Sequence, residues 1–147
     1  MPINIDSTRF GEIEVADDAV IEFPHGLIGL GGSRYTLLLR EESQPFLWLH
    51  SLDDPSLAIP VTSPANFFAS YDVEISDSEA GRIGLSDPSR AAVYVTVRAG
   101  EKLEDFRANL RAPILVVDGQ GHQVINEAAD APVRAPLFSE AALEQVA

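Results

Sequence analysis

The sequence predicts an all-β, single-domain fold, a sandwich or barrel of short strands with one or two short helices. Three observations carry that expectation. Short runs rich in Val, Ile and Leu recur between clusters of Gly, Pro, Asp and Ser, the spacing of a sandwich or barrel. Residues 92–98 alternate Val93, Val95 and Val97 with Tyr94, Thr96 and Arg98, so one face of a strand is apolar and the other amphipathic. Gly119-Gln120-Gly121 separates two apolar runs, and glycine tolerates the positive φ that tight hairpins require.

The remaining strands are expected at 3–6, 11–15, 19–23, 35–40, 46–51, 58–62, 72–75, 114–118 and 123–126. Pro24-His25-Gly26, followed by Gly29, Gly31 and Gly32, breaks the chain after Phe23, which makes residues 27–30 a packed loop. Asp53-Asp54-Pro55 and Ser86-Asp87-Pro88 read as turns. Leu103, Phe106 and Leu110 stand three and four apart behind acidic residues, so 101–110 is the leading helix candidate, ended by Pro113. A second short helix over 140–145 is capped by Ser139 or frays as a tail. The domain is expected over 1–130, with 131–147 a C-terminal tail.

A chain of 147 residues suits one domain, which removes about 68–70% of its unfolded surface from water. Without cysteine there are no disulfides, thiolate nucleophiles or thiolate metal ligands. The N-terminus lacks the pattern of a signal peptide and no apolar run approaches a membrane span, so a cytoplasmic location is expected. The formal charge of −13 repels phosphate backbones and anionic lipid, which argues against direct nucleic-acid or membrane binding. The same field draws in basic proteins, while its plainer consequence is solubility.

Signals of chemistry are weak. Glu22, His25 and His50 form the obvious metal trio, yet no His-x-His or His-Glu-x-x-His spacing places ligands on one face. No Gly-x-Ser-x-Gly elbow occurs, and His50 and Ser51, as strand neighbours, point to opposite faces. Carboxylate pairs such as Asp17-Asp18, Glu41-Glu42 and Asp53-Asp54 are unavoidable among 23 acids and read as solvated loop charge. The glycine cluster is followed by no phosphate-binding lysine. No catalytic residue, metal ligand or cofactor site is assigned. Surface recognition is left, through aromatics near turns (Phe10, Phe46, Trp48, Phe67, Phe68 and Tyr71) that more often build a core than an interface, or by strand addition at an exposed edge.

Several segments, in order, resemble the FliW family: Phe10-Gly11-Glu12-Ile13, Ile21-Glu22-Phe23-Pro24-His25-Gly26-Leu27-Ile28-Gly29, and Pro45-Phe46-Leu47-Trp48-Leu49-His50-Ser51-Leu52-Asp53-Asp54-Pro55. Leu57-Ala58-Ile59-Pro60, Ser63-Pro64, Tyr71, Asn109-Leu110-Arg111-Ala112-Pro113-Ile114 and Gln123-Val124 continue the resemblance, which spans roughly residues 3–125. It departs from the family pattern at His50, Ile59 and Arg107.

The resemblance implies a compact antiparallel barrel-like fold without enzymatic activity or cofactor. It implies two protein partners, flagellin and the RNA-binding translational regulator CsrA. As the resemblance implies it, the protein released from flagellin binds CsrA and relieves repression of flagellin translation. Among the matched positions Phe23, Trp48, Leu49, Leu110 and Ile114 are expected in the core. Asp53, Asp54, Tyr71, Asn109 and the acidic Glu101, Glu104 and Asp105 are the candidate protein-binding residues. A small-ligand or carbohydrate-binding barrel that stacks its ligand on Trp48 and Tyr71 is the rival reading.

Overall fold

The computed structural model describes residues 3–24, 27, 33–39, 46–68, 71, 73–83, 91–98, 105–117, 119–127 and 133–137. Its strands are β1 (Ile3–Ser7), β2 (Gly11–Val15), β3 (Ile21–Glu22), β4 (Arg34–Leu39), β5 (Leu47–Ser51), β6 (Ala58–Thr62), β7 (Ala92–Arg98), β8 (Arg107–Ala108), β9 (Ile114–Val117), β10 (Gln120–Gln123) and β11 (Ala135–Pro136). One α-helix among the described residues, α1 (Asp77–Ile83), lies between β6 and β7.

Seven strands close a barrel in the order β7, β6, β5, β4, β3, β10, β9, with β9 returning to β7. The closing strand is the one with the clearest alternation. Ala92, Val93 and Tyr94 of β7 pair with Val116, Leu115 and Ile114 of β9, whereas Val95 and Thr96 pair with Thr62 and Val61 of β6. The last two residues of β7, Val97 and Arg98, carry the small extension formed by β8 and β11. Among the described residues all ladders are antiparallel except the bridge Gln120↔Glu22, where β10 meets β3 in parallel.

Period-2 alternation sorts β4 and β5 between two cores. Tyr35, Leu37, Leu47 and Leu49 enter the barrel interior with Ile21, Phe23, Leu27, Val61 and Ile114. There the Phe23 and Tyr35 rings meet edge to face, 5.3 Å between centroids. Leu38 points outward instead, into a small cluster with Ile5, Ile13 and Val15 of the β1–β2 hairpin. That hairpin is its own two-stranded sheet and packs on the outer wall of the barrel.

Two glycines explain how β9 and β10 sit. Gly119 takes φ +78° in the two-residue connection that pairs Val117 with Gln120. Gly121 serves packing, because a Cβ there would lie 2.4 Å from the Phe23 ring. The hairpin therefore turns one residue earlier than Gly119-Gln120-Gly121 suggests, and β10 is 120–123 in place of 123–126.

Other expectations are corrected. The helix expected at 101–110 does not continue past Asp105, which lies in a 3₁₀ turn: Arg107 and Ala108 form β8, and Ala108 is fully buried between Val97 and Ala135. Sheet pairing with distant strands outweighs the local helical spacing there; residues 101–104 lie outside the described residues. Residues 73–76 run beside 126–127, joined by Glu127 N–H to the Glu74 carbonyl at 2.7 Å, and 73–75, the described part of the strand expected at 72–75, are not a strand. The helix arises later, at Asp77–Ile83, where Ser76 Oγ accepts the Glu79 N–H at 3.1 Å. Residues 17–19 form a 3₁₀ turn, shortening the strand expected at 19–23 to Ile21–Glu22. Of the segment 131–147, Ala135 and Leu137 are buried beside Val97 and Leu110, so part of it completes the β8 layer. The helix expected at 140–145 lies outside the described residues.

Candidate protein-binding surface

Asp53 and Asp54 follow β5, where the buried Ser51 Oγ accepts both of their backbone N–H groups, at 3.1 and 2.9 Å. Their carboxylates are largely committed to the fold. Asp53 Oδ2 accepts the Ser33 and Arg34 N–H groups at 3.0 and 3.2 Å, and Oδ1 accepts Arg34 Nη2 at 3.2 Å. The Ser33 hydrogen bond is the main reason its carboxyl titrates below the ordinary range; burial opposes it, and the hydrogen bonds and charge of Arg34 lower it further. Asp54 Oδ1 accepts Ser56 Oγ and N–H at 2.7 and 3.0 Å, and these bonds lower its pKa. Both residues stay exposed, so each is accessible at one edge while holding a turn.

Tyr71 and Asn109 converge on a second locus near Leu110. The Tyr71 hydroxyl donates to the Leu110 carbonyl at 2.7 Å, and burial pushes its pKa up. Asn109 Oδ1 accepts the N–H groups of Arg111 and Ala112, shaping the chain toward β9. Asp105 is exposed just before β8. Glu101 and Glu104 lie outside the described residues.

This locus also contains a residue the sequence reading missed. Asn126 is fully buried; its Oδ1 accepts the Glu74 N–H at 2.9 Å, and its Nδ2 donates to Tyr71 Oη at 3.1 Å and weakly to the Leu110 carbonyl at 3.4 Å. The signal available was a polar residue closing an apolar run, which alone does not indicate a buried node.

The second omission is a surface. In the β1–β2 hairpin the buried pair Ile5↔Ile13 faces the barrel, which sends Asn4, Asp6, Glu12 and Glu14 to the opposite, solvent face. Asp6 stands directly across from Glu12, and Asn4 across from Glu14. Among the described residues no cation pairs with these three carboxylates. They border a shallow groove of about 440 Å³ along the hairpin. The alternation Glu12-Ile13-Glu14-Val15 already encodes one acidic face; only the cross-strand register adds Asp6 to it.

The other candidates resolve into structural roles. His50 is fully buried: Nδ1 donates to the Ser51 carbonyl at 2.7 Å and Nε2 accepts the Ser7 hydroxyl at 2.7 Å. That assignment follows because a carbonyl only accepts and Ser7 Oγ already accepts the Arg9 and Phe10 N–H groups. Glu22 is exposed on β3 and His25 lies outside the described residues. Trp48 is half-buried under the edge of Phe10, 5.5 Å between centroids, with the Arg9 guanidinium 4.7 Å from the ring centre. Phe23, Leu49, Leu110 and Ile114 are buried, as their apolar character predicts.

Comparison with known proteins agrees with this architecture. The family model described as FliW protein matches residues 4–137. A flagellar assembly factor FliW of Desulfitobacterium hafniense (strain Y51) is 36% identical over 142 residues, covering 95% of this chain and 93% of the relative. One from Azoarcus sp. (strain BH72) is 39% identical over 127 residues, covering 80% and 86%. A crystal structure of the flagellar assembly factor FliW superposes with a TM-score of 0.81 at 28% identity, covering 93% of this chain and 98% of that one. The chain belongs to the FliW family of flagellar assembly factors.

Proposed function

We propose that this flagellar assembly factor is a non-enzymatic, cytoplasmic partner-switching protein. It binds flagellin in a chaperone-like complex; once released, it binds a CsrA-type translational regulator and relieves repression of flagellin translation. Family membership across residues 4–137 is the observation that carries this reading. The physical support is electrostatic. A chain of net charge −13 that presents Asp6, Glu12 and Glu14, paired with no cation among the described residues, is suited to the basic surface of an RNA-binding protein. No cofactor enters this reading.

The rival reading, a small-ligand or carbohydrate-binding barrel, needs Trp48 and Tyr71 free to stack in a pocket. Trp48 is engaged by Phe10 and Arg9, and Tyr71 by Leu110 and Asn126, which disfavours it. Titration calorimetry with the cognate flagellin and with the cognate CsrA-type protein, each at low and high salt, tests the proposal. Flagellin binding, together with CsrA-type binding that weakens as salt rises, is expected. Absence of heat with both folded partners overturns it.

A further inference from the structure

The β1–β2 hairpin is attached to the barrel differently from every other strand. Among the described residues no ladder joins it to the barrel sheet. Its apolar contact rests on three buried side chains, Ile5, Ile13 and Val15, set against Val20, Leu38 and Leu52. Hydrogen bonds near the hairpin turn add to this, among them Ser7 with His50 and the Thr8 N–H to the Pro55 carbonyl at 2.9 Å. The Phe10 ring at the turn leans on Trp48 and, 6.2 Å away, on His50.

The hairpin is also weak in itself. A lone two-stranded sheet is marginal in water, and directly opposed Asp6 and Glu12 repel across the strands. The barrel, by contrast, closes without β1 or β2, and its interior cluster contains no hairpin residue. The wall beneath keeps its own bonds, Thr36 Oγ1 to the Ala19 carbonyl at 2.9 Å and His50 Nδ1 to the Ser51 carbonyl.

We infer that the β1–β2 hairpin is a flap, held by the Ser7–His50 latch, that lifts as a unit from the outer wall of β4 and β5 while the barrel stays closed. Lifting uncovers an apolar strip of Val20, Leu38, Leu52 and Trp48, so the flap decides whether that strip faces solvent. Local opening of this kind follows where burial is small and hydrogen bonds to the remainder are few. The inference does not rest on the proposed partners.

Amide hydrogen exchange on the full chain at neutral pH tests it. Amides of residues 3–15 are expected to exchange at least about tenfold faster than those of 35–39 and 47–51. Ser7→Ala removes the latch together with the two turn bonds that Ser7 Oγ accepts from the Arg9 and Phe10 N–H groups, and is expected to accelerate exchange of residues 3–15 by about another tenfold or more, leaving 35–39 and 47–51 unchanged. A common exchange rate for hairpin and barrel in the unmodified protein overturns the flap, whatever Ser7→Ala does. Absence of selective acceleration in Ser7→Ala overturns the latch. Trp48, the single tryptophan, gives a second readout that needs no variant: its quenching by neutral acrylamide is expected to fall as salt screens Asp6 from Glu12. Quenching independent of salt contradicts an opening driven by that repulsion.

Discussion

At the scale of single residues, the fold depends on a few side chains whose roles cross long sequence distances. Gly121→Ala puts a methyl group into the Phe23 ring and is expected to cost about 1–3 kcal/mol in urea unfolding. Asn126→Ala strands the Glu74 N–H and loosens Tyr71, with an expected loss of about 2–3 kcal/mol; Tyr71→Phe, which removes the donor to the Leu110 carbonyl and the acceptor of Asn126 Nδ2, is expected to lose about 1 kcal/mol. Equal effects of the two substitutions would show that Asn126 does no more than anchor the phenol. Titration supplies another test. The folded-state pKa of Asp53 is lowered, so its contribution is full above the ordinary carboxylate pKa and is lost as pH falls through the lowered value. Asp53→Asn is therefore expected to flatten part of the acid limb of the stability profile, modestly because the group is exposed. Tyr35 and Tyr71 are raised, chiefly by burial, so stability present below the ordinary phenol pKa is lost as pH climbs from that value toward the raised ones. A flat alkaline limb would contradict their burial.

Among the elements, strands with strict alternation were legible and those fixed by distant pairing were not. Residues 92–98 show a period of two and form β7 over those residues. The run around Phe106 shows a helical period, yet 107–108 become β8 because Ala108 fills a site between Val97 and Ala135 that no local pattern announces. The helix that does form had a readable cue, Ser76 three residues before Glu79, the spacing of a capping box. Ser76→Ala is expected to cost about 1 kcal/mol, with faster exchange at amides of 77–83 and none at the barrel strands. An unchanged α1 would mean that packing, and not the cap, starts that helix. The acidic candidates divide similarly: Asp53 and Asp54 stood out as a turn, and their turn is what the structure uses them for. Asp6, Glu12 and Glu14 became one surface only through the register of β1 against β2.

For the whole molecule, the barrel supplies a closed wall and the surface chemistry is carried by elements added to it: the acidic hairpin, the exposed turn after β5, and the β8–β11 layer. Fold class was legible because many short, alternating runs with turn signals leave few architectures. Partner surfaces were not, since carboxylates that hold turns and carboxylates that face solvent look alike in a chain with 23 acids. The proposed switching between partners is tested most directly by competition. The complex with flagellin is formed first, at saturation, and then titrated calorimetrically with the CsrA-type regulator. Little heat is predicted until flagellin is withdrawn, after which binding to the freed protein appears and weakens with salt. Equal, independent binding of the regulator to the free and the flagellin-bound protein would contradict partner switching.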